Sequence, residues 1–498
     1  MKKKCIIIGS GLGGLSCGVI LSKNGYDVTV LEQHYQIGGC LQCFTRKGLK
    51  YETGMHFIGS AAPGQTLHKL MRYLNFEASL NLNRMDTKAY DIISLNGDRF
   101  NFANGREAFI EQMASYFPKE TDNIVKYYNT IEAVAQASSL HSLKNAESDM
   151  VINTEYQTRS INDVLNSITN DRLLRNVLAG TQPLYAAEEN KTPFSIHAFI
   201  MNFYNQSSYR IIGGSDTIAA SLKKTIEENG GQVLTKKRVC KIECDDVKAT
   251  NVITEDGTVY AADYIISTTH PARTLEWVDS KLIRPAFRQR ISTMRNTMAS
   301  FSVYLQFKKE RVPYMNSNFY SYKSDTPWGC EIYDEKSWPK GYLYMHFCNE
   351  ANQQYANNGV VLSYMNMEEL KEWENTYIEH RGEDYKKFKE QKAKVLIDSL
   401  EKDFPGIKQS IECYYTSTPL TYRDYTGTQD GSMYGVAKDI SLGISNRVPH
   451  KTKIPNLLLS GQNINSHGIL GVIVGSIVTC SELLTSETIY KQILKANL

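Results

Sequence analysis

The sequence predicts an α/β protein whose first unit is a parallel sheet of Rossmann type. Three observations carry this. A β-branched apolar run, Cys5–Ile8, enters the glycine turn Gly9-Ser10-Gly11-Leu12-Gly13-Gly14 directly. A helix pattern follows, with Leu15, Val19 and Leu21 as its apolar positions, and stops at Gly25. A second apolar run, Val28–Leu31, then ends in Glu32. Short, almost wholly apolar strands suit the centre of a parallel sheet, which is covered on both faces.

The spacing Gly9, Gly11, Gly14 is G-x-G-x-x-G, and each glycine has a physical task. Gly9 permits the tight turn. Gly11 lets the backbone, with Leu12 and Gly13, approach a pyrophosphate. Gly14 lets the helix pack close to the strand. The start of the helix then offers unpaired N–H groups to an anion. Glu32, with Gln33 beside it, stands where a carboxylate can accept hydrogen bonds from ribose hydroxyls. A second glycine pair, Gly38-Gly39, follows soon after and is succeeded by Cys40. Later come Gly54, Met55 and His56. A second close backbone approach is superfluous for a nicotinamide cofactor and points to a flavin dinucleotide.

The rest of the chain bounds the problem. With 498 residues it exceeds one small core and suggests two or three domain-sized units. Apolar residues make up 42% and charged residues 22%, and the net charge is +3, too small to argue for nucleic acid. Lys2, Lys3 and Lys4 before an apolar run resemble a secretory leader, but the run is broken at once by glycines and no cleavage site follows. No apolar stretch reaches the ~18 residues that span a bilayer. The expected location is the cytoplasm, with any membrane contact peripheral, at the inner face. Ten cysteines are scattered, and the single C-x-x-C pair, Cys40 and Cys43, has no second pair to complete a metal site; reduced thiols are expected. The charged run Glu368–Lys392 reads as a solvated helix face, its acids nearly balancing its lysines.

Further along, Gln232–Leu234, Arg238–Glu243, Ala249–Thr254 and Tyr264–Ser267 read as short strands. Ile124–Ala135 and Ile161–Ile168 have helical patterning, whereas Ser302–Phe307 and Gly341–Phe347 are strand-like. Near the end, Leu457-Leu458-Leu459 runs into the turn Ser460-Gly461-Gln462-Asn463; Gly468, Gly471 and Gly475 follow, and then a helix through Leu484.

Several of these stretches resemble one family. Gly38-Gly39-Cys40 to Phe44, Gly48-Leu49, and Glu52-Thr53-Gly54-Met55-His56-Phe57-Ile58-Gly59 are similar to retinol saturases, with a looser likeness to phytoene desaturases and carotenoid isomerases. The middle block from Tyr185 through Phe194–Ala198 and Tyr204 to Gly213-Gly214-Ser215, and the turn at Gly461, resemble the same group. So does the segment with Thr418-Pro419-Leu420, Gly427, Gly431 and Met433-Tyr434-Gly435. Amine oxidases and protoporphyrinogen oxidases usually carry arginine after the double glycine, where Cys40 stands here.

The resemblance implies an FAD-binding Rossmann-type domain, amine oxidase/phytoene desaturase-like and discontinuous in sequence (1–75, 205–295 and 420–498). An α+β substrate domain (76–204 and 296–419) would complete the chain. It implies FAD as cofactor, held by the residues above together with Val239 beside the adenine and Gly461, Gln462, Asn463, Gly471 and Val472 around the closing turn. Family members often have aspartate where Asn463 stands. It also implies saturation, desaturation or isomerisation of a carbon–carbon double bond in an apolar isoprenoid or polyene. The candidate proton donors are His56, His197 and Tyr185, with Tyr204 behind them. The electron donor or acceptor is open, since no second dinucleotide fingerprint is present. The alternatives are a flavin oxidase of amines or porphyrinogens, and a non-catalytic prenyl-lipid binder of the same fold, as in Rab GDP-dissociation inhibitors.

Overall fold

The computed structural model describes residues 2–138, 143, 154–428, 430–443 and 447–498. Its organising element is a five-stranded parallel sheet. Across the sheet the strands run Gln232–Leu234, Asp27–Leu31, Lys4–Ile8, Tyr264–Ser267 and Leu457–Leu459. Ile6 sits between Thr29 and Ile265, and Ile7 between Val30 and Ile266, so three distant stretches of chain meet in one register. The central strands are buried along nearly their whole length, as their continuous apolar sequence requires.

Two helices cover one face. Leu12–Lys23 follows the first strand, and Gly468–Leu484 follows the last; the two pack on each other. The contact is close because glycine lines it. A Cβ on Gly13 would lie 3.0 Å from the Cα of Gly461. At Gly14 the demand is absolute, since a Cβ there would fall 1.9 Å from the carbonyl oxygen of Gly9. The helix Asp216–Glu228 packs against the first helix from the other side, and an antiparallel meander, Val239–Cys244, Ala249–Thr254 and Val259–Ala261, flanks the sheet.

The second body is a seven-stranded sheet. Its order is Ile411–Ser417, Ala299–Phe307, Asn358–Met365, Gly341–His346, Asn318–Tyr322, Asp91–Leu95 and Asp98–Phe102. All pairs are antiparallel except that between Asn318–Tyr322 and Asp91–Leu95. Every residue of Ala299–Phe307 and of Asn358–Met365 is buried. One face carries the helix Gly382–Asp403; the other is closed by a helical layer that includes Thr121–Ala137, Ile161–Ile168 and Phe194–Gln206. A small sheet of Ile58–Gly59, Ser208–Ile211 and Leu82–Arg84 ties the two bodies together.

The charged run 368–392 differs from the single solvated face its composition suggests. It is a short 3₁₀ turn, Met367–Trp373, then a break, then the helix beginning at Gly382. Glu379, within the break, and Gly382, at the start of the helix, take left-handed backbone angles that a continuous helix does not contain. Lys392 is buried against Glu369 and stacks its ammonium over the Trp338 ring, while Leu396, Ile397 and Leu400 enter the core.

The contact at Gly14 yields a prediction. Gly14→Ala forces the first helix off the first strand and destabilises the protein by about 3 kcal/mol, although alanine normally favours a helix. Thermal denaturation measures this; an unchanged midpoint contradicts the packing described.

Candidate functional site

The carboxyl ends of parallel strands form the rim of a crevice, which is where ligands enter sheets of this kind. Here the rim opens into a cavity of about 880 Å³ between the two bodies. Small-molecule pockets run from roughly 300 to 1,000 Å³, so this one is large.

One end is built from backbone. Gly9, Gly11, Leu12 and Gly13 line it from the first turn, and Gly38, Gly39 and Cys40 from the second. The two turns touch: Gly11 and Gly38 form a parallel bridge, Gly38 N–H donates to the Ser10 carbonyl at 3.0 Å, and a Cβ on Gly39 would lie 3.1 Å from the Gly11 Cα. A Cβ on Gly11 would meet no protein atom within 4 Å, so it would project into the cavity itself. No side chain caps the helix that starts at Leu12. Its first-turn N–H groups, bearing the positive end of the helix dipole, are left for an anion. These features fit a dinucleotide pyrophosphate.

Glu32 lies at the end of the second strand and lines the cavity. Its carboxylate is held in place: Oε2 accepts from the Ser10 N–H at 2.9 Å and from the Ser10 hydroxyl at 2.6 Å, and Oε1 accepts from the His34 N–H at 2.9 Å. Gln33 and Val239 line the same region. Sequence reasoning missed their neighbours Lys237 and Arg238, although a basic pair just ahead of a strand was a readable signal. It also missed Thr268, Thr269 and His270, which follow the fourth strand of the sheet at its carboxyl end.

The closing turn contributes Gly461, Gln462, Asn463 and Val472. Asn463 is committed to the protein as well. Its Oδ1 accepts the Val436 N–H at 2.9 Å, and its carbonyl accepts from Lys438 Nζ at 2.7 Å. Burial pushes the Lys438 ammonium down to about 7, with the Arg447 charge adding to the effect. Gly14 and Gly471 do not line the cavity. Both are packing glycines, Gly471 because a Cβ there would lie 2.7 Å from that of Ser466.

The other end of the cavity is apolar. Leu343, Met345 and Leu362 reach it from the seven-stranded sheet, joined by Phe57, Phe203, Met433 and Tyr434. No local motif announces the strand residues; only the pairing of distant strands brings them to one wall.

The four candidate proton donors separate. His56 and Tyr204 line the cavity, as do Gly54 and Met55. His197 and Tyr185 lie outside the lining, 0% and 2% exposed. His197 Nδ1 is 2.7 Å from the Tyr185 hydroxyl and Nε2 is 2.8 Å from that of Tyr127. A neutral imidazole has one donor and one acceptor nitrogen, so the two hydroxyls satisfy both. Burial pushes His197 down to about 3, and it stays neutral. Cys40 and Cys43 are free thiols.

The described chain can be set beside known proteins. A protein-family model for flavin-containing amine oxidoreductases matches residues 12–470, nearly the whole chain. The chain belongs to the flavin-containing amine oxidoreductase family. This flavin oxidoreductase is 27% identical to the human all-trans-retinol 13,14-reductase, over 99% of its own length and 87% of that protein's. It is 22% identical to a chloroplastic prolycopene isomerase of an Oncidium hybrid cultivar, over 97% and 84% of the two chains. Its fold matches an oxidoreductase of Methanosarcina mazei with a TM-score of 0.64 at 18% identity, covering 96% of this chain and all of that one. Among the described residues, no helix is long and apolar enough to cross a membrane.

Two predictions follow from this geometry. Gly11→Ala weakens flavin retention about tenfold or more, roughly 1.4 kcal/mol, without loss of stability in the flavin-free protein; absorbance ratios and thermal melts measure the two effects. The second concerns His197. Its folded pKa lies below the unfolded value of about 6.5, so the unfolded chain takes the proton first. The stability present above pH 6.5 is therefore lost as pH falls toward 3. His197→Gln, which hydrogen-bonds without ionising, removes this loss. Between pH 6.5 and 5 the wild type falls by about 2 kcal/mol relative to the variant in urea unfolding.

Proposed function

We propose that this protein is an FAD-dependent oxidoreductase that adds hydrogen to, removes it from, or rearranges a carbon–carbon double bond in an apolar isoprenoid or polyene. The observation that carries the reading is one cavity of about 880 Å³ lined both by the backbone of the glycine turns and by apolar side chains of the seven-stranded sheet, Leu343, Met345 and Leu362. The similarity to a retinol reductase and a prolycopene isomerase supports the substrate class.

In this reading, segments 1–75, 205–295 and 420–498 form the FAD domain, and 76–204 with 296–419 form the substrate domain. The three FAD segments supply the strands of the parallel sheet, and the other two supply the seven-stranded one. Gly11, Leu12, Gly13, Gly38 and Gly39 cradle the pyrophosphate, and Glu32, already fixed by Ser10 and His34, accepts from the ribose. Lys237, Arg238 and Val239 stand by the adenosine, and Gly461, Gln462, Asn463 and Val472 close the site. Bound FAD would supply hydride chemistry that no side chain can. Leu343, Met345, Leu362 and Tyr434 exclude water from the double bond. His56, at the cavity wall, holds the proton that saturation requires, with Tyr204 behind it as a second candidate on the same lining. Tyr185 and His197 act as a buried support for the helix that carries Tyr204.

The test joins cofactor and product. Denaturing the purified yellow protein is expected to release FAD in near-equal amount. The reduced holoprotein incubated with a polyene alcohol or carotenoid is expected to give a product with two more hydrogens, or an isomer of unchanged mass. Release of FMN, or no change in any polyene by reduced or oxidised protein, would overturn the reading.

A further inference from the structure

Glu52 is a buried carboxylate with one oxygen that no hydrogen bond satisfies. It ends the strand Leu49–Glu52, opposite Cys43, and is 6% exposed. Its Oε2 lies 3.8 Å from Nδ1 of His56, four residues on. Glu52 Oε1 and His56 Nδ1 are both buried and neither has a hydrogen-bond partner. Buried polar atoms are nearly always paired, and a buried carboxylate is costly without a partner. Two such atoms in adjacent groups, one a carboxylate and one an imidazole nitrogen, are complementary, and a small rotation of either side chain joins them.

Among the described residues no neighbouring group makes a hydrogen bond to either atom, although Arg210 Nε and Tyr314 Oη are also buried without a partner. Cys43 faces Glu52 across the hairpin; burial, and then the Glu52 charge, push its thiol up to about 12, so it stays neutral. Burial likewise raises the Cys348 thiol. Phe347 packs its ring 5.9 Å from that of His56. Arg210 is fully buried nearby, but its guanidinium donates to the carbonyls of His56 and Ser317, at 3.2 and 2.9 Å, and to Asn318 Oδ1 at 2.9 Å. Arg210 thereby fixes the backbone of His56 through its carbonyl and not through the ring.

We propose that Glu52 is the positioning residue of His56, taking the Nδ1–H so that Nε2–H faces the cavity as the proton donor. This deepens the double-bond reading and rests on it. In saturation the π bond breaks and two C–H bonds form. One carbon would take a hydride, which bound reduced flavin would supply with its two electrons. The other carbon takes the proton from His56 Nε2, whose N–H electron pair stays on the ring, and solvent then restores the proton. The Glu52 carboxylate accepts the Nδ1–H and so holds the ring's orientation before transfer and its tautomer afterwards.

The experiment reads the ring ¹⁵N shifts of the holoenzyme labelled with ¹⁵N-histidine, with His56 assigned by its loss in His56→Asn. In Glu52→Gln the neutral His56 ring is expected to leave the single Nδ1–H tautomer for a mixture, read as ¹⁵N shifts of Nδ1 and Nε2 that converge, because an amide can either accept from or donate to Nδ1. In Glu52→Asp the change is expected to be smaller. In Glu52→Gln kcat for polyene reduction should fall about tenfold or more, with KM within about twofold of wild type. Unchanged His56 shifts in Glu52→Gln overturn the pairing, and changed shifts with an unmoved kcat overturn its role in proton delivery. If Glu52→Gln does not accumulate, Glu52→Asp decides by the same criterion. A wild type that turns over no polyene defeats the double-bond reading instead, while the ¹⁵N shifts, which need no substrate, still decide whether Glu52 holds His56.

Discussion

The close approach of two glycine turns, Gly9–Gly14 and Gly38–Gly39, is the constraint on which the other features rest. The bridge between Gly11 and Gly38 brings Gly39 so near that a Cβ there would lie 3.1 Å from the Gly11 Cα, and with glycine at these positions the wall facing the cavity is peptide backbone and its donors. Everything around it serves that contact. Gly14 lets the helix lie on the strand, Gly13 lets the closing turn at Gly461 approach the first helix, and Ser10 of the same turn fixes Glu32. A rigid polar wall of this kind is already arranged before a ligand arrives, so little ordering is needed on binding.

The opposite wall follows different physics. Leu343, Met345 and Leu362 come from strands whose own sheet is buried on both faces, so their positions are set by packing of the second body. The cavity is therefore a seam between a body specialised for backbone recognition and one that presents hydrocarbon. His56 lies on that seam: Arg210 holds its carbonyl and at the same time grips the strand at Asn318. A residue fixed from both bodies keeps a constant position relative to both walls.

What could be read from sequence was what is local. The first strand, glycine turn, helix and acid are consecutive, and each obeys a spacing rule, so they were legible together. The strands at 232–234, 249–254 and 264–267 were bounded correctly because alternation and turn residues mark them within a few positions. Long-range pairing was not legible. Tyr127 meets His197 from 70 residues away, which turns a candidate proton donor into a satisfied core histidine. Thr268 to His270 carry no motif of their own; their place at the end of a parallel strand gives them access to the cavity. The break at Gly382 was hidden because charge composition is blind to backbone angle.

The central claim is that the polar end holds a flavin against a double bond at the apolar end. Anaerobic mixing of the fully reduced holoenzyme with one equivalent of a polyene, followed through the flavin absorption band, tests it most directly. The account predicts that the oxidised band returns in a single turnover, in step with loss of polyene absorbance, when the substrate is reduced. A flavin that stays reduced and a polyene spectrum that does not change at all would contradict it.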